Sequence, residues 1–82
     1  MNISNLKNKN IAIWGLGSEG WSTLKFLKKR FPGKEVYIFN DKEFQTEMNE
    51  ILKQDPFLKI VYGDDIKKYL KNVDVIIRSP GG

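Results

Sequence analysis

The chain has 82 residues, 40% of them hydrophobic and 29% charged, and its 14 Lys and Arg outnumber 10 Asp and Glu to give a formal net charge of +4. A chain of this length forms one domain that buries only about 60–65% of its unfolded surface, which argues against a complete multi-step enzyme. Because cysteine and histidine are both absent, the composition excludes a disulfide framework, thiol catalysis and the usual structural zinc sites.

Composition also narrows the cellular setting and the partners. No apolar run approaches the roughly 20 residues that cross a bilayer, and residues 1–10 carry lysines but no apolar h-region follows them, so no signal peptide is predicted. We therefore expect a cytoplasmic protein with no membrane partner. The basic clusters in 28–30 and 67–71 are interpreted as solvated helix faces, and no nucleic-acid partner is expected, because no nucleic-acid-binding signature accompanies them.

The chain begins with a polar segment and a buried strand. Residues 1–9 are predicted to be an irregular, polar N-terminal tail, with Ile3 and Leu6 as possible anchors on the domain edge. Residues 10–14 are almost continuously apolar, which is typical of a central parallel strand covered on both faces.

The strand is followed by a glycine-rich loop, GLGSEG, at residues 15–20. In a strand–turn–helix unit Gly15 allows the sharp turn, Gly17 lets backbone amides approach a ligand, and Gly20 lets the helix pack closely on the strand. Free amides and the helix dipole at a helix N-terminus favour a phosphate or diphosphate. Glycines also occur in ordinary turns, so the motif alone is weak evidence for phosphate binding. The strand pattern before it and the helix pattern after it are the stronger evidence. The candidate ligand-binding residues of this loop are Gly15, Leu16, Gly17, Ser18, Glu19 and Gly20.

A helix and a second strand lead to a further candidate residue. Apolar residues at spacings of three and four predict a helix that Pro32-Gly33 ends, and residues 35–39 form a β-branched and aromatic strand. Asp41 lies 21 residues after Gly20, about where a βαβ unit places a polar residue beside a ribose or base. The alternative is that Asp41 only forms a turn or caps a helix. The inner face of the first helix is predicted to be Trp21, Leu24, Leu27 and Phe31.

The remaining pattern predicts two more helices and two more strands. Strands are predicted at 58–62 and 73–78, and the chain then continues with the glycine-rich segment 79–82. Asp64 or Asp65 is expected to cap the short third helix. The apolar face of the second helix is predicted to be Phe44, Met48, Ile51 and Leu52, and that of the third Ile66, Tyr69 and Leu70.

This alternation of strands and helices predicts an α/β fold. Right-handed crossovers favour an open, Rossmann-like parallel sheet of four strands in the order 3-2-1-4, with helices on both faces. In that order the strands that precede the two glycine-rich loops are neighbours, so we expect Gly17 to face Gly81 across one crevice. Two amide-rich loops there suit an extended anion such as a nucleoside diphosphate.

Three stretches together resemble a known family. IAIWGLGSEGWS at 11–22, Asn-Asp-Lys at 40–42 and VDVIIRSPGG at 73–82 resemble the N-terminal domain of the UDP-N-acetylmuramoyl-L-alanine:D-glutamate ligases, which are Mur ligases of peptidoglycan synthesis. The ending D-V-I-I-x-S-P-G is more specific than the glycine loop. The resemblance implies a three-domain cytoplasmic enzyme that forms an amide through an acyl phosphate, with ATP in a central domain and Mg²⁺ on the phosphates.

The resemblance also assigns roles to residues of this chain. Ser18 and Glu19 would contact the uracil mainly through backbone, and the diphosphate would be reached by Ser79 and the Gly81 amide. The family usually has Ser or Thr where this chain has Glu19, so that carboxylate either points to solvent or contacts the uracil edge. The implied substrate-binding residues outside the first loop are Asp41, Lys42, Ser79, Pro80 and Gly81.

The residues that a ligase needs for catalysis are not found in this sequence. It has no GxxGK[ST] loop for ATP and no cluster assignable to magnesium. The resemblance therefore implies that residues 1–82 are one UDP-binding domain, a fragment of a larger ligase, inactive alone and without its own cofactor. The rival interpretation is an NAD(P)-binding module of a dehydrogenase or transporter regulator, although Asp41 stands two residues past the apolar run of its strand.

Overall fold

A computed structural model describes residues 3–78 of the chain, with the side chains of residues 5–78. Its strands form one parallel sheet in the order β3-β2-β1-β4, so the predicted strand order is confirmed. The strands are β1 (Ile11–Trp14), β2 (Val36–Asn40), β3 (Leu58–Tyr62) and β4 (Val75–Arg78). The helices are α1 (Ser18–Arg30), α2 (Thr46–Lys53) and α3 (Ile66–Tyr69), with 3₁₀ segments at Ile3–Asn8, Gly63–Asp65 and Leu70–Asn72.

One face of the sheet carries the larger core. In the register of the two central strands, Ile13 lies opposite Ile38, and it also pairs with Ile77 of β4. Side chains alternate along a strand, so these residues point to the same face as their neighbours two positions away. That face packs against α1 and α2, and its fully or almost fully buried members include Ile11, Ile13, Leu24, Leu27, Val36, Ile38 and Leu52.

The opposite face has a thinner cover. Ala12, Phe39 and Val61 pack against Ile66 of α3, so the prediction of helices on both faces is confirmed. The cover is short, because α3 contains only four residues. Ile76 of β4, on this face, is 43% exposed.

Three local predictions are wrong in whole or in part. Residues 3–8 form a 3₁₀ helix rather than an irregular tail, with Leu6 buried in the core as one of its expected anchors. Asp65, one of the two expected capping residues, occupies the N-cap position of α3, but its side chain makes no capping hydrogen bond, because a 3₁₀ turn leads directly into the helix. Tyr69 and Leu70 are 37% and 40% exposed, so Ile66 is the buried residue of the predicted inner face, although the Tyr69 ring still contacts Tyr37 of β2 with ring centres 5.7 Å apart.

The predicted apolar face of the second helix is also only partly correct. Phe44 precedes α2, which begins at Thr46, and Ile51 is 57% exposed. Met48 and Leu52 pack into the core, because a helix against one side of a sheet buries a stripe narrower than its full apolar pattern. Among residues 3–78 no helix combines the length and apolar character that a membrane span requires.

Two neighbouring residues of α2 test this packing. We expect Leu52→Ala to lower the free energy of unfolding by about 2–5 kcal/mol, because it leaves a cavity in the core. Ile51→Ala is the matched control, and it should change that free energy by no more than about 0.5 kcal/mol. Urea denaturation of both variants provides the measurement, and equal losses would contradict the burial described for α2.

Candidate functional site

The loop after β1 makes its turn at Gly15. This residue has a φ of +89°, a left-handed conformation that a side chain would strain. Its N–H donates a hydrogen bond of 2.9 Å to the carbonyl of Phe39, which ties the turn to the end of β2. The predicted role of Gly15 in the sharp turn is confirmed.

Gly20 lies where the helix passes closest to that turn. A Cβ built on Gly20 would stand 2.4 Å from the Gly15 carbonyl oxygen and 3.3 Å from its carbonyl carbon. These atoms belong to the backbone, so they cannot move aside as a flexible side chain can. The predicted role of Gly20, close packing of helix on strand, is therefore confirmed.

The N-terminus of α1 is open for a ligand. Gly17 is the N-cap residue, its extended backbone has no side chain to cap the helix, and its carbonyl accepts the first helical hydrogen bond from the Trp21 N–H at 2.9 Å. The amides at the start of a helix have no partner within it, and the positive end of the dipole lies there. Ser18 and Glu19 are exposed at this position. This arrangement can bind an anion through backbone.

Leu16 contributes differently from the rest of the loop. Its side chain is only 9% exposed and belongs to the core cluster that also contains Leu24 of α1. Only the backbone of Leu16 is therefore available to a ligand. This burial also fixes the position of the loop relative to the sheet.

Asp41 and Lys42 follow β2 at the same edge of the sheet. The Asp41 Oδ1 accepts a hydrogen bond of 3.2 Å from the indole Nε1 of Trp14, and the Asn40 side-chain amide donates one of 2.6 Å to the Lys42 carbonyl. Asp41 does not cap α2, because that helix begins at Thr46. Asn40 makes the hydrogen bond across the turn, which leaves the exposed Asp41 carboxylate available for ligand contact.

The parallel sheet brings these groups together because the carboxyl ends of its strands share one edge. Loop 15–20 follows β1 and residues 41–42 follow β2, while β4 lies on the other side of β1. The three predicted site residues of the last segment lie outside the described residues, and so does the expected meeting of Gly17 with Gly81. Those three are Ser79, Pro80 and Gly81.

Two residues that the sequence analysis did not select lie at this edge. The guanidinium carbon of Arg78 is 4.8 Å from the centre of the Trp14 ring, and Trp14 meets Phe39 edge-on with ring centres 5.8 Å apart. In the sequence, the feature that could have drawn attention to Arg78 is an arginine at the end of an otherwise apolar strand. That feature does not reveal its contact with Trp14, because their pairing depends on the β1–β4 register.

Residues 9–81 match the model of a protein family described as "Mur ligase MurD-like, N-terminal domain". The chain belongs to this family. The MurD-like match spans the glycine loop, Asp41 and the segment after β4, so the resemblance carried by the sequence motifs is confirmed. No solved structure gave a significant match. Among the described residues, no three His, Cys, Asp or Glu side chains lie together as a possible metal site.

Curated relatives of this MurD-like domain are ligases. A UDP-N-acetylmuramoyl-L-alanine--L-glutamate ligase of Xanthomonas euvesicatoria is 28% identical over 81 residues, which cover 99% of this chain and 17% of the relative. A UDP-N-acetylmuramoylalanine--D-glutamate ligase of Caldicellulosiruptor bescii is 34% identical over 79 residues, 93% of this chain and 16% of the relative. The chain thus spans about one sixth of the length of the curated relatives it matches.

The contact at Gly20 provides a test of the loop. In most helices Gly→Ala stabilises by about 0.5–1 kcal/mol, whereas Gly20→Ala should destabilise the domain by about 1–3 kcal/mol because its methyl group overlaps the Gly15 carbonyl. Thermal and urea unfolding measure the change, and Lys25→Ala, at an exposed position of the same helix, is the control. A stabilised Gly20→Ala variant would contradict the close approach.

Proposed function

We propose that this MurD-like domain binds the UDP moiety of UDP-N-acetylmuramoyl-L-alanine. In this proposal it is the N-terminal domain of the ATP-dependent, cytoplasmic ligase that adds D-glutamate in peptidoglycan synthesis. The observation that carries the proposal is the family match over residues 9–81. The open N-terminus of α1 supports it, because it lies at the same carboxyl edge of the sheet as Asp41, and that edge offers positions for an anion and for a nucleoside.

The roles proposed for these residues are those that the family resemblance implies. The amides of Gly17, Gly20 and Gly81, with the Ser79 hydroxyl, bind the diphosphate, since amides aimed at an anion form strong hydrogen bonds. Asp41 and Lys42 border the uridine, and Ser18 and Glu19 meet the uracil mainly through backbone. Gly15, Leu16 and Pro80 are the remaining residues of the proposed UDP-binding set.

The names of the two relatives give the same nucleotide substrate but different amino-acid substrates. Both name UDP-N-acetylmuramoyl-alanine, and they differ in whether L- or D-glutamate is joined to it. The proposal for this domain concerns the shared nucleotide substrate. D-glutamate is proposed from the sequence resemblance, and assays of the full-length ligase with each glutamate enantiomer distinguish the two.

Catalysis is proposed to belong to the rest of the ligase. ATP and Mg²⁺ act in the parent enzyme, where they would activate the substrate carboxylate as an acyl phosphate. Residues 1–82 contain no GxxGK[ST] loop. We therefore expect the domain alone neither to hydrolyse ATP nor to form an amide bond.

A titration of the 82-residue chain tests nucleotide choice. UDP should bind with a dissociation constant of about 0.1–1 mM or weaker, because few contacts offset the entropy of immobilising the ligand, and NAD should bind more weakly. Amide chemical shifts of Gly17, Gly20 and Gly81 follow the binding. Saturable shifts with NAD but none with UDP would favour the dinucleotide-binding module, and ATP turnover would reveal a missed catalytic site.

Two substitutions test the residues assigned to the ligand. Asp41→Asn and Ser79→Ala should each weaken UDP binding, with Asp41→Asn costing about tenfold because a charged hydrogen-bond acceptor is lost. Both should leave the free energy of unfolding within about 0.5 kcal/mol of wild type. Glu50→Gln removes a charge from an exposed position of α2 and should alter neither property. Unchanged UDP affinity, or an unfolded variant, would contradict the assignment.

A further inference from the structure

Trp14 connects three strands at the edge where the ligand is proposed to bind. It is the last residue of β1, and its partners in register are Phe39 of β2 and Arg78 of β4. Its half-buried ring packs edge-on against Phe39 with centres 5.8 Å apart, while the Arg78 guanidinium lies 4.8 Å from the ring centre. An indole held by neighbours on both sides has little freedom to rotate.

This fixed ring holds the Asp41 carboxylate. The indole N–H donates to Oδ1 at 3.2 Å. Asp41 is exposed and lies in a bend after β2, so without this hydrogen bond its side chain would sample several rotamers. Within residues 3–78, no group donates a hydrogen bond to its second oxygen, Oδ2. This oxygen can therefore accept a hydrogen bond from a hydroxyl or the imide N–H of a nucleoside.

Carboxylates outnumber cations at the carboxyl edge of the sheet, and the positive charge of Arg78 can offset part of this excess. In segments 15–20, 41–43 and 63–68, which follow β1, β2 and β3, the carboxylates are Glu19, Asp41, Glu43, Asp64 and Asp65, and the cations are Lys42, Lys67 and Lys68. Lys68 forms an ion pair with Asp65. Carboxylates near a diphosphate repel it. Arg78 is exposed at the end of β4 and, among the described residues, forms no ion pair. Stacking on Trp14 keeps its cation at the carboxyl end of β4, next to β1.

We propose that Trp14 is a positioning residue and Arg78 a specificity-determining residue for the nucleotide. Trp14 holds Asp41 ready to accept a hydrogen bond from the nucleoside. Arg78, stacked on the same ring, offsets the local carboxylates and makes the site select a nucleoside diphosphate over the nucleoside. This inference rests on the proposed UDP function and names the side chains that would give it selectivity.

The positioning role of Trp14 is tested by substituting it and, as a matched control, the other tryptophan of the chain, Trp21. Trp14→Phe keeps an aromatic ring under Arg78 and removes the N–H that holds Asp41, so UDP and uridine should both bind about threefold to tenfold more weakly. The ratio of the two affinities should stay unchanged. Trp21→Phe, on the helix-covered face, should alter neither affinity. Combining Trp14→Phe with Asp41→Asn should add little to the effect of Asp41→Asn alone, because both remove the same contact.

The role of Arg78 in selecting the diphosphate is tested by substituting it and, as a control, Arg30. Arg78→Gln should weaken UDP about tenfold and leave uridine unchanged, because a charge-assisted contact to phosphate is lost. Arg30→Gln is the control, since Arg30 also lies over an aromatic ring, that of Phe31 at 6.0 Å, but at the C-terminus of α1. Heteronuclear NMR titrations of the 82-residue chain measure these affinities, and melting temperatures verify folding of every variant.

The outcomes separate this inference from the proposed function. If wild type binds neither UDP nor uridine, the proposed function fails. If wild type binds UDP while Trp14→Phe and Arg78→Gln match it, the function stands and this inference is overturned. A ligand-free readout tests the positioning role independently: the Trp14 indole N–H resonance should move when Asp41→Ala removes the acceptor of its hydrogen bond, and should stay in place in Glu50→Gln. An unmoved indole resonance in folded Asp41→Ala would overturn that role.

Discussion

At the point where β1 gives way to α1, the Gly15 carbonyl occupies the space that a side chain on residue 20 would need. The helix can therefore begin immediately above the turn, with its first amides facing the carboxyl edge of the sheet. The hydrogen bond from Gly15 to Phe39 locks this junction to β2. A longer connection would place the helix N-terminus farther from the ends of the neighbouring strands and would separate the loop from Asp41.

The rest of the site depends on a balance of charges around that junction. The dipole of α1 and its unpaired amides attract an anion, while Glu19 in its first turn and Asp41 at the same edge of the sheet repel one. Backbone amides alone recognise phosphate without identifying the nucleoside. Side chains at the ends of β2 and β4 would supply that selectivity, which is why the Trp14 contacts with Asp41 and Arg78 matter to the proposed function.

Stability and ligand binding draw on different parts of the domain. The larger core lies between the sheet and the pair α1 and α2, and its aliphatic side chains account for most of the fully buried residues. The other face is closed by Ile66 and aromatic contacts such as the pair Tyr37 and Tyr69, with ring centres 5.7 Å apart. Substitutions of exposed residues at the carboxyl edge can therefore alter binding while the core remains intact.

The sequence by itself determined the strand order, the turn at Gly15 and the close packing at Gly20, because continuous apolar strands, right-handed crossovers and glycine spacing are local or topological constraints. It also determined the family, through motifs that remain contiguous in the chain. Tertiary structure alone decided that Leu6 is buried and Ile51 exposed, because burial depends on which surface an element meets. It alone joined Trp14 to Asp41 and Arg78, since that contact requires the register of three strands brought together from distant parts of the chain.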